Sequence, residues 1–86
     1  MKILKINYLQ DYKLEVLFTN GKVTTADFEM FLRNAKNKSI SKFLDIEQFK
    51  TVTIDSGFLS WNDGEMEISA MSVFKDFSLK TQLAEC

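Results

Sequence analysis

From Leu14 to Phe28 the chain reads LEVLFTNGKVTTADF. With Lys13 before it, the run sets Leu14, Val16 and Phe18 to one side and Lys13 and Glu15 to the other, the period of two of a half-buried strand. Asn20-Gly21 interrupts it and predicts a two-residue type I′ hairpin turn, which needs positive φ at both central residues. KVTTA is the return strand. Asp27 then reads as the N-cap of a helix carrying Phe28, Phe31 and Leu32 at i, i+3 and i+4.

FLSWNDGEMEIS, from Phe58 to Ser69, makes the same statement in other letters: strand, Asn62-Asp63-Gly64 turn, strand, Ser69 as N-cap. Met66 and Ile68 face in, Glu65 and Glu67 out. Met71, Phe74 and either Phe77 or Ser78 continue at helical spacing. The opening ILKINYL is a strand with Leu4, Ile6 and Tyr8 on one face, closed by a turn at Gln10-Asp11-Tyr12. A short helix beginning near Ser39 or Ser41 puts Ile40, Phe43 and Leu44 together, and EQFKTVTID leads into a strand with Val52 and Ile54, ended by Asp55-Ser56-Gly57. The echo is architecture: each half makes two strands and a capped helix to cover them, because an isolated hairpin is marginal in water.

Eighty-six residues make one domain, 1–86, with an ordered core of about 2–78 and a fraying tail at 79–86. The expected fold is α+β: a twisted, mainly antiparallel sheet of five or six strands with two or three short helices packed on it. The eight Phe residues belong to its core, where each contributes about 1.5–3 kcal/mol when fully buried. A formal net charge of -1, a single Arg (Arg33) and dispersed Lys argue against direct nucleic-acid binding. Lys36, Lys38 and Lys42 in NAKNKSISK read as a solvated loop. One Cys, Cys86, permits no internal disulfide, and no apolar run reaches the ~18 residues of a membrane span, so a cytoplasmic location is expected.

The order and spacing of these elements resemble the bacterial family filed as domain of unknown function 2442. The resemblance rests first on Asp11, Tyr12, Leu14, Val16, Phe18, Gly21 and Asp27. It continues through Phe43, Leu44, Asp45, Phe49, Val52, Ile54 and Asp55, and ends on Leu59, Trp61, Gly64, Glu67 and Ile68. One departure is Asn62-Asp63-Gly64, where family members more often carry a Pro-Asn-Gly type of turn. The family has no established activity. Its members are small stand-alone domains, some joined to a helix-turn-helix segment and some encoded beside another small protein in a toxin–antitoxin-like arrangement. The resemblance therefore implies partner binding.

Catalytic chemistry finds little to work with. There is no His, the side chain most used for proton transfer near neutral pH and the commonest metal ligand. Cys86 has no basic neighbour to make it a nucleophile, and Gly21, Gly57 and Gly64 each sit alone in a turn. Asp55, Asp63, Glu65 and Glu67 gather around the second hairpin, where a solvated strand face is the expected role over a divalent-metal site. No catalytic residue, cofactor or metal site is assigned. Trp61 suits either a core position near an edge or an interface anchor. The expectation is a non-enzymatic cytoplasmic binding or regulatory domain that docks a protein partner, antitoxin-like being one form of it. Trp61, with Tyr12 or Phe58, would anchor the partner, or a strand would add at an open sheet edge; Asp63, Glu65 and Glu67 would steer a basic surface. The alternatives are a DNA-linked regulator acting through a partner or dimer, a mobile-element inhibitor of a host complex, and a small metal-dependent hydrolase using Asp and Glu alone. Oligomeric state is not legible.

Overall fold

A computed structural model describes residues 1–78, so the expected tail at 79–86 lies outside the described residues. Three strands open the chain: β1 (Ile3–Gln10), β2 (Lys13–Phe18) and β3 (Val23–Asp27). Helices α1 (Glu29–Asn34), α2 (Lys38–Ser41) and α3 (Ile46–Phe49) follow, with a 3-10 turn at Lys42–Leu44 between the last two. Strands β4 (Thr53–Asp55), β5 (Phe58–Trp61) and β6 (Met66–Ile68) come next, then α4 (Ala70–Ser72), which runs on as a π-turn over Val73–Phe77. None of these helices is long and apolar enough to cross a membrane.

The strands form two antiparallel sheets, β1-β2-β3 and β4-β5-β6, and not the single sheet expected. Alternation shows which residues face in but not which strands pair. β4 is three residues long, and a backbone bond that links it to β1 comes from the turn after it: Ile3 N–H donates to the Gly57 carbonyl at 2.7 Å. The sheets share one core. Leu14, Val16, Phe18 and Ala26 come from the first, Leu59, Trp61, Met66 and Ile68 from the second, and Phe28, Leu32, Phe43, Phe49 and Val73 from the segments over them.

Several local readings are corrected. Ile3, not Leu4, faces the core: the register slips between Ile3 and Lys5, and Leu4, the extra residue of that bulge, is left 59% exposed. At Asn20-Gly21 the loop has three residues. Gly21 N–H donates to Phe18 O, Phe18 N–H to Lys22 O, and only Gly21 has positive φ, a type I turn with a glycine bulge. Asn20 contributes its side-chain oxygen, which accepts from Lys22 N–H. The two-residue loop with positive φ at both positions occurs instead at Ser56-Gly57, between paired Asp55 and Phe58.

Asp27 ends β3 and accepts from Glu29 N–H at 3.0 Å, one residue ahead of the cap position that Phe28 occupies. Asn37 caps α2 through Ser39 N–H. Asp45 caps α3, a helix not expected in a segment read as leading into a strand. Ser69 caps α4 as read, accepting from Ser72 N–H. The apolar side of that last segment is Ala70, Val73, Phe74 and Phe77, whereas Met71 is 54% exposed.

Gly57 has φ +87, and a Cβ there would lie 2.6 Å from Lys2 Cβ; Gly21 has φ +86 and open space around it. Gly21→Ala is expected to cost about 1–2 kcal/mol from the left-handed backbone alone. Gly57→Ala adds an overlap worth about 1–3 kcal/mol more. Urea unfolding of both variants checks this, equal losses meaning that Lys2 moves aside freely.

Candidate functional site

Of the two roles open to Trp61, the structure gives it the core one. Its side chain is fully buried, and its indole N–H donates to the Phe49 carbonyl at 2.8 Å. The rings of Phe28, Phe43 and Phe49 surround it at centroid distances of 5.8, 6.2 and 5.8 Å. Trp61 is therefore no exposed anchor. Tyr12 is half-buried, its ring edge-on to Phe49 at 5.5 Å and its hydroxyl donating to the Leu44 carbonyl. Phe58 is half-buried at the start of β5. Trp61 belongs to the core and Tyr12 packs against it, whereas Phe58 is not among the residues that form or flank the core cluster.

The acidic residues separate as well. Asp63 is exposed at the tip of the second hairpin, with φ +57. Glu65 accepts from the Lys42 ammonium and from the Asn62 side-chain amide. Those two donors hold its carboxyl below the ordinary value of 4.5, Lys42 first and Asn62 second. Arg33, the chain's one arginine, is paired with Glu29 a turn earlier at 2.8 Å, and that hydrogen bond raises its already high pKa. Among the described residues no three Asp, Glu or Cys side chains converge in a way that could hold a metal ion.

Glu67 joins other residues into a surface feature. With Ile68 and Ser69 it forms one wall of an open groove of about 510 Å³, whose other wall is Phe31 of α1 with Ser72, Asp76 and Phe77 of the last segment. Each part has a local cause. The Asp27 carboxylate starts α1 immediately after β3, which leaves Phe31 40% exposed on the groove side of buried Leu32. The Ser69 hydroxyl starts α4 immediately after β6. The π-turn then sets Phe77 against Phe28 at 4.7 Å and edge-on to Phe31 at 5.3 Å, with Asp76 exposed beside it.

The groove is apolar along Phe31, Phe77 and Ile68, Glu67 and Asp76 are its acidic lining residues, and no Lys or Arg lines it among the described residues. Neither carboxylate is in an ion pair among the described residues. Asp76 and Ser72 escaped the sequence reading because the polar side of a short apolar helix looks like any solvated face. The signal was Asp76 beside Phe77, an acid and an aromatic in adjacent positions.

Two three-stranded sheets and four short helices around one core make this a small α+β domain. The family model described as Protein of unknown function (DUF2442) matches residues 3–77, and the chain belongs to that family. No curated protein and no solved structure matches it.

Two outcomes follow from this geometry. Trp61→Phe removes the closer of the Phe49 carbonyl's two donors, leaving Val52 N–H at 3.4 Å, and opens a gap beside three rings; it should lower stability by about 2–4 kcal/mol in chemical unfolding followed by circular dichroism. Because the Glu65 pKa is depressed, its small contribution is present above its ordinary value and is lost as pH falls through the folded-state value. Lys42→Ala should move the Glu65 carboxyl midpoint upward in an NMR titration. An unmoved midpoint would rule out the Lys42 contact as its main cause.

Proposed function

We propose that this domain is a non-enzymatic binding module that docks a protein partner in the groove between α1, β6 and the last helical segment. The supporting observation is the combination of apolar lining residues (Phe31, Phe77, Ile68) with the acidic Glu67 and Asp76 and, among the described residues, no basic one. A partner segment that fits carries one or two large apolar side chains flanked by Lys or Arg. The apolar contact supplies affinity, and the carboxylates supply orientation and a salt-dependent association rate.

The expected use of acidic residues to steer a basic partner is kept, but moved from the hairpin tip to the groove. Glu65 is already occupied by Lys42 and Asn62, whereas Glu67 and Asp76 remain available. β6 pairs with β5 alone, so strand addition along its outer edge is compatible with the same docking. An antitoxin-like protein needs this mode of action: it occupies a segment of its partner and does no chemistry on it.

The test uses the tagged full chain as bait in its native cells, beside Phe31→Ala and the double variant Glu67→Lys, Asp76→Lys. The wild type should retain a stoichiometric companion with a basic, apolar-bearing segment. The double variant should weaken binding at least about tenfold, with the folded-state spectrum unchanged. A companion held equally by all three chains, or no companion at all, overturns the reading.

A further inference from the structure

Among the described residues no element packs over the outer face of the first sheet, where Leu17 and Val23 stand side by side. Register pairing puts Lys5, Leu17 and Val23 in one row across β1, β2 and β3, and Asn7, Glu15 and Thr25 in the next. Lys5, Asn7, Glu15, Leu17 and Val23 line a shallow hollow of about 450 Å³ there, while the opposite face carries the fully buried Leu14 and Val16. Val23 is 59% exposed, and bulged Leu4 beside Lys5 is equally so. Neither Lys5 nor Glu15 is in an ion pair among the described residues.

We infer that this face binds a second copy of the same chain in a two-fold symmetric, face-to-face dimer. The arrangement of charge selects that occupant. Lys5 and Glu15 lie on neighbouring strands one row apart, diagonal to each other with Leu17 beside both. With strands ~4.8 Å apart and same-face residues ~6.6 Å apart, a two-fold axis in the interface plane can bisect the Lys5–Glu15 diagonal. That operation seats Lys5 of each copy on Glu15 of the other. It also brings Leu17 to within roughly 3 Å of its own symmetry position, with Val23 packed over the facing Leu17 and Val23. The strands of the two copies then cross at roughly 70°, within the near-orthogonal class of sheet packing. A self-complementary patch of this kind is what an isologous interface requires. On the same face Lys13 and Asp27 pair with each other at 3.9 Å, which leaves Lys5 and Glu15 as the cation and the anion that a second copy meets. The face is small, so the dimer is weak, with Kd on the order of 10–100 µM. It shares no residue with the docking groove and does not rest on that proposal.

The experiment is sedimentation equilibrium of the full chain up to about 500 µM, wild type beside four variants. Lys5→Glu and Glu15→Lys singly, and Val23→Asp, should each raise Kd at least about tenfold. Lys5→Glu combined with Glu15→Lys should return to within about threefold of wild type. All three positions substituted are solvent-facing, and an unchanged near-ultraviolet spectrum confirms the fold. A chain monomeric throughout overturns the inference. So does a dimer indifferent to Val23→Asp, which would place the contact elsewhere, or a double variant no better than the single ones. Capture of another protein that is lost with Val23→Asp, from a chain that stays monomeric, would assign the face to that partner and equally overturn it.

Discussion

The hydrogen bond from the Trp61 indole to the Phe49 carbonyl is the constraint around which the rest is arranged. Phe49 ends α3, a helix of four residues that cannot satisfy its own last carbonyls. Trp61 ends β5 and is the largest side chain in the core. One bond therefore fixes the second sheet to the helical layer and supplies a buried acceptor with the closer of its two donors. The Phe49 ring then reaches the first sheet, meeting Tyr8 at 6.3 Å and Tyr12 at 5.5 Å, and Phe28 at 6.0 Å on the other side. Two sheets that exchange almost no strand hydrogen bonds are held as one body by aromatic packing through this point.

What could be read from the chain, and what could not, follows from the range over which each feature is encoded. Leu14, Val16 and Phe18 declared their facing because a strand's period is local and unbroken there. Leu4 misled because one bulged residue inverts the alternation, and nothing in Ile3-Leu4-Lys5 marks the slip. Asn20-Gly21 carried the stronger type I′ signal, yet Ser56-Gly57 adopts that turn. Loop length is decided by the pairing of the flanking strands, and the Asn20 side chain finds a better use in accepting from Lys22. Helix α3 is too short to show a period; Asp45 as its cap was the available clue. The site was less legible than the fold. Trp61 and Tyr12 have the chemistry of interface anchors, but the same chemistry serves a small core short of apolar volume, and they are packed in or against it.

The two surfaces left over differ in how charge is distributed, although the formal net charge is only -1. The groove is acidic without internal compensation, which suits a partner of opposite sign. On the outer sheet face Lys13 and Asp27 pair with each other, and Lys5 and Glu15 stand at a fixed offset with no ion pair among the described residues, which suits a copy of itself. Separate elements build them, α1, β6 and the last helical segment in one case and β1 to β3 in the other, so both can be occupied together.

The bond between Ile3 and Gly57 also sets an order of events on the ribosome. β1 and β2 pair locally and can form as soon as they emerge. The start of β1 is held by β2 at once, Lys2 donating to and accepting from Thr19, but the outward N–H of Ile3 is met only when the Ser56-Gly57 turn arrives to accept it, and Lys2 then packs where a Cβ on residue 57 would stand. The outer edge of β1 at Ile3 thus stays open until the second sheet is being made. Until that point the exposed edge of β1 is a nascent strand in search of a neighbour, and the hairpin that closes it acts as an edge guard supplied late in synthesis.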